Sequence, residues 1–476
     1  MIQGSSLSGI DENNSLSLLI GKDFLDGRFS AFRYGHNFGG TLENLVTAPL
    51  VAIFGMTDLV VKIVPLVYLI GTSVLLWKGF ERTPYRDKMR IAMAVLWIWP
   101  GYFVYSSSNI SGYLSVLLLL YAGLLFSSFY AAHSLVNRKY YFLFAFLSGL
   151  ALWVYPLSIV FTLVCLAWIR RSSPALKLHN LRALSIFIFG SLLWWAKLLG
   201  SSGESLIRTF EKNVGPTTNG FSNNGESLLS FLDIKTISTG AFVFRELNIV
   251  FAILYLLAMA GVIAATFFGA RKALKTQRTD FAFLSATLLI SQLILSTVFW
   301  IFSVELGPAF YIGLVIPLCF TALFAMNSKI VLGIGISAMF FVSLFSLIAS
   351  TKVVESKNDN QVLKIEQKLQ SRNISSALAT HSLSYPISVA SDNEMTISPF
   401  DFNAFDQKRA TKVQSSIQAI VVEQDHKDQT DVALCVQGAF GQAFERTSIA
   451  KTDIYFVPKD LRIKAWEVTK LCLERP

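Results

Sequence analysis

The stretch from Phe32 to Leu50, FRYGHNFGGTLENLVTAPL, interleaves charged and ring side chains with a glycine pair directly ahead of an amphipathic run. Glycines before a helix start leave backbone N–H groups open to an anion such as a phosphate or pyrophosphate. The plainer alternative is that Gly39 and Gly40 only make the turn, with Arg33, His36 and Glu43 solvated or satisfied locally. Soluble-enzyme signatures are missing: the sequence has no Ser-His-Asp arrangement, zinc spacing, P-loop or dinucleotide glycine motif. Lys62 and Lys197 lie within or near apolar runs, where a lysine ordinarily snorkels to the headgroups and otherwise raises a transport hypothesis.

Such a segment acts only where other elements hold it, and the composition says what those are. Of 476 residues, 53% are hydrophobic and 15% charged, with 39 Phe, 15 Tyr and 9 Trp. A soluble globular chain carries roughly 25% charged residues. From Ile91 to Asn137, and again from Tyr140 to Ile169, there is no Asp, Glu, Lys or Arg. These numbers exclude a disordered or fibrous chain, and 4 Cys cannot frame a disulfide-built fold of this length. The net charge of +10 gathers in short clusters between apolar runs, the pattern of cytoplasmic loops rather than of a nucleic-acid surface.

At about 20 apolar residues per span, spans are expected near 59–78, 91–107, 113–134, 183–200, 247–270, 281–303, 309–326 and 330–350. The run 140–169 is too long for one upright helix and is interrupted at Tyr155-Pro156, with basic residues at both ends, so it reads as two short spans hinged at Pro156. The expected class is a mainly α polytopic membrane protein of about ten spans, with surface amphipathic helices and a small C-terminal α/β domain. All the basic clusters (78–90, 138–139, 170–182, 271–278, and Lys329) then fall on one side, expected to be cytoplasmic. Residues 1–58, the loop 201–246 and the tail 351–476 are expected outside. Met1 to Asn14 has no apolar signal region, and a leading span ahead of this chain is the favoured explanation of how the N-terminal segment crosses.

Two amphipathic helices are expected in residues 1–58. SLSLLIGKDFLDGRF places Leu16, Leu19, Ile20 and Phe24 at helical spacing with Gly27 as the stop. TLENLVTAPLVAIFG has Thr41 as N-cap and Glu43 in the first turn. Both are too short or too polar to span and are expected along the membrane surface. In the tail, SYPISVAS, QAIVVEQ, VALCVQG and DIYFVPK read as strands, while NQVLKIEQKLQSR and KAWEVTKLCLERP read as helices. Cys435 and Cys472 could pair if this domain is extracytoplasmic, whereas Cys165 and Cys319 sit in spans.

The run Tyr34-Gly35-His36-Asn37-Phe38-Gly39-Gly40-Thr41-Leu42-Glu43, followed by Ala48-Pro49-Leu50 and Phe54-Gly55, resembles the signature of prokaryotic membrane glycosyltransferases of the GT-C superfamily, which are similar in layout to protein mannosyltransferases and lipid A aminoarabinose transferases. KDFLDGRFSAF resembles the surface helix that precedes the signature, and GLALWVYPLSIVF the family's paired short spans. The motif-level resemblance covers about residues 13 to 170 and is specific for the superfamily, not for a substrate. It implies transfer of a sugar from a polyprenyl-phosphate carrier to an envelope or secreted acceptor by inverting displacement on the outer face. A carboxylate would take the acceptor proton, and cationic or dipolar groups would stabilise the leaving phosphate. The family's key acid falls at Asn13 and Asn14 in this sequence, with Asp11 and Glu12 two residues earlier. Either a small shift brings Asp11 or Glu12 into the site as the base, or the chain is impaired.

By the same resemblance Glu43 joins the catalytic group, Arg33 and Tyr34 face the donor phosphate, His36 stands where the motif has Gln and keeps a polar contact, and Asn37, Gly39 and Gly40 complete the substrate segment. The implied partners are a polyprenyl-phosphate-linked sugar, the bilayer and an acceptor that is protein, lipid or polysaccharide; no nucleic acid is implied. The resemblance fixes no cofactor and leaves a divalent metal open, although no histidine pair has ligand spacing with His36. The loop 201–246 is the candidate for acceptor contact. Two other classes stay open. A lipid or polysaccharide transporter would show repeats and midplane ionisable residues, and an inactive GT-C homologue would act as a scaffold.

Overall fold

The computed structural model describes residues 12–34, 39–97, 114–133, 137–200, 247–277, 280–301, 308–325, 361–400, 407–423, 434–436, 438–440, 444–462 and 464–473. It divides into two compact units. One gathers the described residues of Met1–His36, Glu43–Val64 and Val354–Pro476, and the other those of Asn37–Leu42 and Pro65–Val353. The first is mixed α/β and the second helical.

The α/β unit opens with helix α1 (Glu12–Leu25) and continues with α2 (Asn44–Phe54). Helix α1 ends as its sequence demands: Gly27, with φ +75°, takes the left-handed conformation that closes a helix. Residues 14 to 21 are buried on every side, Asn14, Ser15 and Ser17 included. So α1 does not lie with one face open, as an amphipathic surface helix would. Helix α2 does keep an apolar face exposed, through Leu45, Ile53 and Phe54.

Helix α3 (Asp58–Gly79) leads into the helical unit, which continues with α4 (Arg86–Trp97), α5 (Leu114–His133), α6 (Asn137–Val154), α7 (Ser158–Ser172), α8 (Asn180–Gly190), α9 (Leu192–Gly200), α10 (Leu247–Ala273), α11 (Phe281–Ile301) and α12 (Pro308–Ala325). Among the described residues three helices are long and apolar enough to cross a membrane: Asp58–Gly79, Ser115–His133 and Phe281–Val298. The hinge at Pro156 is present, since α6 stops at Val154 and α7 starts at Ser158. The expected span 183–200 is instead two helices parted at Ser191. There the Ser191 hydroxyl donates to the Phe187 carbonyl at 2.8 Å and accepts from Trp195 Nε1 at 3.0 Å. Packing explains the break. Gly149 of α6 and Gly190 of α8 meet backbone to backbone, so that a Cβ at Gly149 would lie 2.3 Å from the Phe187 carbonyl oxygen. The span expected at 330–350 and most of that at 91–107 lie outside the described residues.

The unit's aromatic centre is Phe281, whose ring lies 5.3 Å from Phe80, 5.5 Å from Tyr85, 5.6 Å from Phe129 and 5.2 Å from Phe320. Rings at such spacings add to area burial, and here they join the turn between α3 and α4 to α5, α11 and α12. Lys62 has a local explanation in its ion pair with Asp58, one turn earlier on α3.

The chain then builds α13 (Gln361–Ser371), β1 (Ser376–Ala379), α14 (His381–Ala390), β2 (Thr396–Pro399), α15 (Gln407–Ser415), β3 (Ala419–Glu423), β4 (Glu445–Ile449), β5 (Thr452–Phe456) and α16 (Ala465–Leu473). The sheet order is β2-β1-β3-β5-β4, with β1 parallel to β2 and β3, and β5 antiparallel to β3 and β4. One sheet face carries Ile365, Leu369, Leu383 and Ile387 from α13 and α14; the other carries Val413 from α15 and Ala465 from α16. Two expected strands are helical. SYPISVAS belongs to α14, whose residues 383 to 389 are all buried. A helix buried all round shows no helical polarity period, so its alternating Leu383, Tyr385, Ile387 and Val389 imitate a strand. VALCVQG is helical over 434–436 and is held to α16 by the Cys435–Cys472 disulfide.

Candidate functional site

Helices α1 and α2 cross where Gly21 meets Thr47; a methyl group added at Gly21 would lie 2.9 Å from Thr47 Cγ2. Asn44, the first residue of α2, donates from Nδ2 to the Ser17 carbonyl at 2.8 Å, which ties the start of one helix to the middle of the other. Glu43 is wholly buried just ahead of it, in helical conformation, and its carboxylate does not cap α2. The expected cap at Thr41 is replaced by a tight 3-10 turn over Thr41–Glu43. In that turn the Leu42 carbonyl accepts from the Tyr68 hydroxyl at 3.2 Å, and 3-10 geometry of this kind is common in first turns.

Sequence reasoning passed over the polar centre of this segment, Asp23. Its carboxylate is wholly buried; Oδ1 accepts from Arg28 Nη2 at 2.5 Å and Oδ2 from the Tyr34 hydroxyl at 2.7 Å. Burying a carboxylate is costly unless both oxygens are engaged, and here they are. The reversal at Gly27 makes this possible: the Arg28 amide returns to the Asp23 carbonyl at 2.7 Å, and Arg28 also reaches Asp26 at 2.8 Å. Asp23 thus fixes Tyr34, and with it the stretch in which Arg33 lies 3% exposed. The sequence signal was an acid among the apolar residues of the expected helix, three residues before Asp26 and five before Arg28.

The structure brings Arg33, Tyr34 and Glu43 into the α/β unit, together with Asp23 and Arg28. Gly39 and Gly40 count with the helical unit, where a Cβ on Gly40 would lie 2.9 Å from the Trp153 ring. Glu12 is the first residue of α1. Asp11, His36 and Asn37 lie outside the described residues. Among the described residues no three His, Cys, Asp or Glu side chains converge to hold a metal ion. A buried guanidinium, a phenol and a buried carboxylate on one segment are groups able to hold an anion and to take a proton.

No protein-family model and no curated protein sequence matches the chain. Solved structures do. ArnT from Cupriavidus metallidurans bound to undecaprenyl phosphate is similar with a TM-score of 0.60 at 12% identity, over 95% of this chain and 96% of that one. The same protein in the apo state gives a TM-score of 0.56 at 11% identity, over 95% and 94%. The chain has a GT-C-like fold. With this fold and its apolar helices, the chain is a membrane protein. Identity this low leaves the GT-C-like scaffold as what is shared, and each side-chain role has to be argued from the chain's own residues.

Proposed function

We propose that the chain is an integral-membrane glycosyltransferase that moves a sugar from a polyprenyl-phosphate donor to an envelope or secreted acceptor on the outer face. The observation that carries this reading is the likeness, over 95% of the chain, to a protein whose structure holds undecaprenyl phosphate. About ten spans, an inner-membrane location and an extracytoplasmic C-terminal domain belong to the same proposal. The Cys435–Cys472 disulfide supports that placement, because disulfides persist in oxidising compartments.

In the proposed reaction an acceptor hydroxyl attacks the anomeric carbon, the bond to the carrier phosphate breaks, and the configuration inverts. Asp11 or Glu12 takes the hydroxyl proton, Arg33 and Tyr34 steady the departing phosphate, and Glu43 orders the site from the start of α2. His36, Asn37 and the Gly39-Gly40 pair contact the donor. The impairment suggested by Asn13 and Asn14 draws no support from the fold. The test is transfer of isotopically labelled sugar from polyprenyl phosphate in membranes lacking the native gene. Wild type is expected to label an acceptor, whereas Glu43→Gln and the variant lacking the base lower the rate by about a hundredfold or more. Absence of transfer by wild type with every donor offered would sink the reading.

A further inference from the structure

Three helices of the helical unit bring polar groups together inside an apolar core. The Tyr121 ring of α5 stacks on Phe161 of α7 with centroids 4.5 Å apart, and its edge reaches Gly313 of α12. A Cβ on Gly313 would lie 3.4 Å from Tyr121 Cε2 and 3.5 Å from Cζ, the carbon that bears the hydroxyl. The same Cβ would lie 3.7 Å from Nε2 of Gln292 on α11. The phenol and the amide therefore meet at one backbone position, and both residues are only 2% exposed.

Two acceptors at this position call for a donor. Gln292 Oε1 is buried and has no hydrogen-bond partner among the described residues, which is costly for an amide oxygen in an apolar interior. The Gly313 carbonyl would ordinarily accept from the amide four residues on, but residue 317, inside α12, is a proline and has no N–H to give. At membrane depth a carbonyl freed in this way is satisfied by a neighbouring helix or by ordered water. Helices α5, α11 and α12 carry no Asp, Glu, Lys or Arg, so whatever is held there is neutral. It is also small, because a single Cβ on Gly313 would already touch both side chains.

We propose that Tyr121, Gln292 and Gly313 form a closed hydration site that holds one water molecule between α5, α11 and α12. The hydrogen-bonding capacities match. The two O–H groups of the water donate to Gln292 Oε1 and to the Gly313 carbonyl, and its oxygen accepts from the Tyr121 hydroxyl. The water thus joins three helices where Pro317 has removed a rung from the ladder of α12, and a fully satisfied polar network of this kind fixes how the helices pack. The site is independent of the proposed transfer reaction.

The test is a crystal structure of the full chain, grown from a lipid mesophase and sharp enough to show ordered water, together with thermal unfolding in detergent. Wild type is expected to show a water within hydrogen-bond distance of all three groups. A direct bond between Gln292 and Tyr121, or no density between them, would overturn the proposal. In unfolding, the volume-conserving Gln292→Met and Tyr121→Phe are each expected to lower the melting temperature. The double variant should fall no further than the lower of the two, because either change removes the same water. Fully additive losses would mean that the two side chains share no ligand and would sink the site. Pro317→Ala gives the Gly313 carbonyl a donor again, and in that background Gln292→Met should lower the melting temperature less than it does in wild type. An undiminished loss would remove the carbonyl, and with it α12, from the site.

Discussion

Asp23 organises the candidate site without belonging to the signature that draws attention to it. Its two oxygens hold Arg28 and Tyr34, so replacing it removes a buried charged acceptor from two half-buried donors. Asp23→Asn is expected to lower stability by about 2 kcal/mol. In a double-mutant cycle with Tyr34→Phe the losses should be less than additive, by about 1 kcal/mol, as read from thermal unfolding in detergent. Independent losses would mean that the Tyr34 bond contributes nothing. A second residue-scale prediction concerns Glu366, buried on α13, whose carboxyl is pushed up by burial first and then by Glu394. Because the folded state holds this proton more tightly than the unfolded one, the contribution of Glu366 to stability is greatest at low pH and is lost as pH rises through the raised value. Glu366→Gln should therefore raise the melting temperature more at pH ~8 than at pH ~4; an equal shift at both would refute the assignment.

Among the elements, the crossing of α6 and α8 depends on two hydrogens in place of side chains. A Cβ at Gly149 would meet the Phe187 oxygen at 2.3 Å and Gly190 Cα at 2.9 Å, both backbone atoms that cannot rotate away. Gly149→Ala is expected to cost about 2 kcal/mol or more, whereas Gly261→Ala on α10, where nothing lies within 4 Å, should be neutral or better. Denaturation in mixed micelles compares the two. Element identity was legible where an apolar run had the length of a membrane helix, where apolar residues recurred at helical spacing, or where β-branched and aromatic residues made a short run. The runs that became α3, α5, α11 and α13 were read correctly, as were the Pro156 hinge and strands β3 and β5. It was illegible where a short buried helix alternated like a strand, as in α14, and where a strand was too short and small to show a period, as in β1, SALA.

For the molecule as a whole, the proposed orientation, with the Lys and Arg clusters on the cytoplasmic side, is one that labelling can read. With Lys275→Cys and Lys459→Cys variants, a membrane-impermeant maleimide is expected to modify position 459 in intact cells and position 275 only after lysis. The reverse pattern would place the α/β unit inside and remove the outer-face reading of the reaction. The GT-C-like resemblance rested on motifs within about residues 13 to 170, whereas the structural likeness extends over 95% of the chain at 12% identity. A scaffold of apolar helices tolerates exchange of nearly every side chain that keeps volume and polarity, so the fold outlasts the sequence similarity.

What the chain's order of residues determined by itself was local or compositional: apolar runs of membrane length, basic clusters between them, the helix stop at Gly27, and cysteines able to pair. Each follows from interactions among near neighbours or between a segment and its solvent. The tertiary structure alone decided the partnerships between distant residues. It set Tyr34 on Asp23, Asn44 on the Ser17 carbonyl, Gly149 against Gly190, and Tyr85 on Asp280 across 195 positions of sequence. Those contacts depend on which helix faces meet and at what separation, and that choice is made by packing the whole core at once.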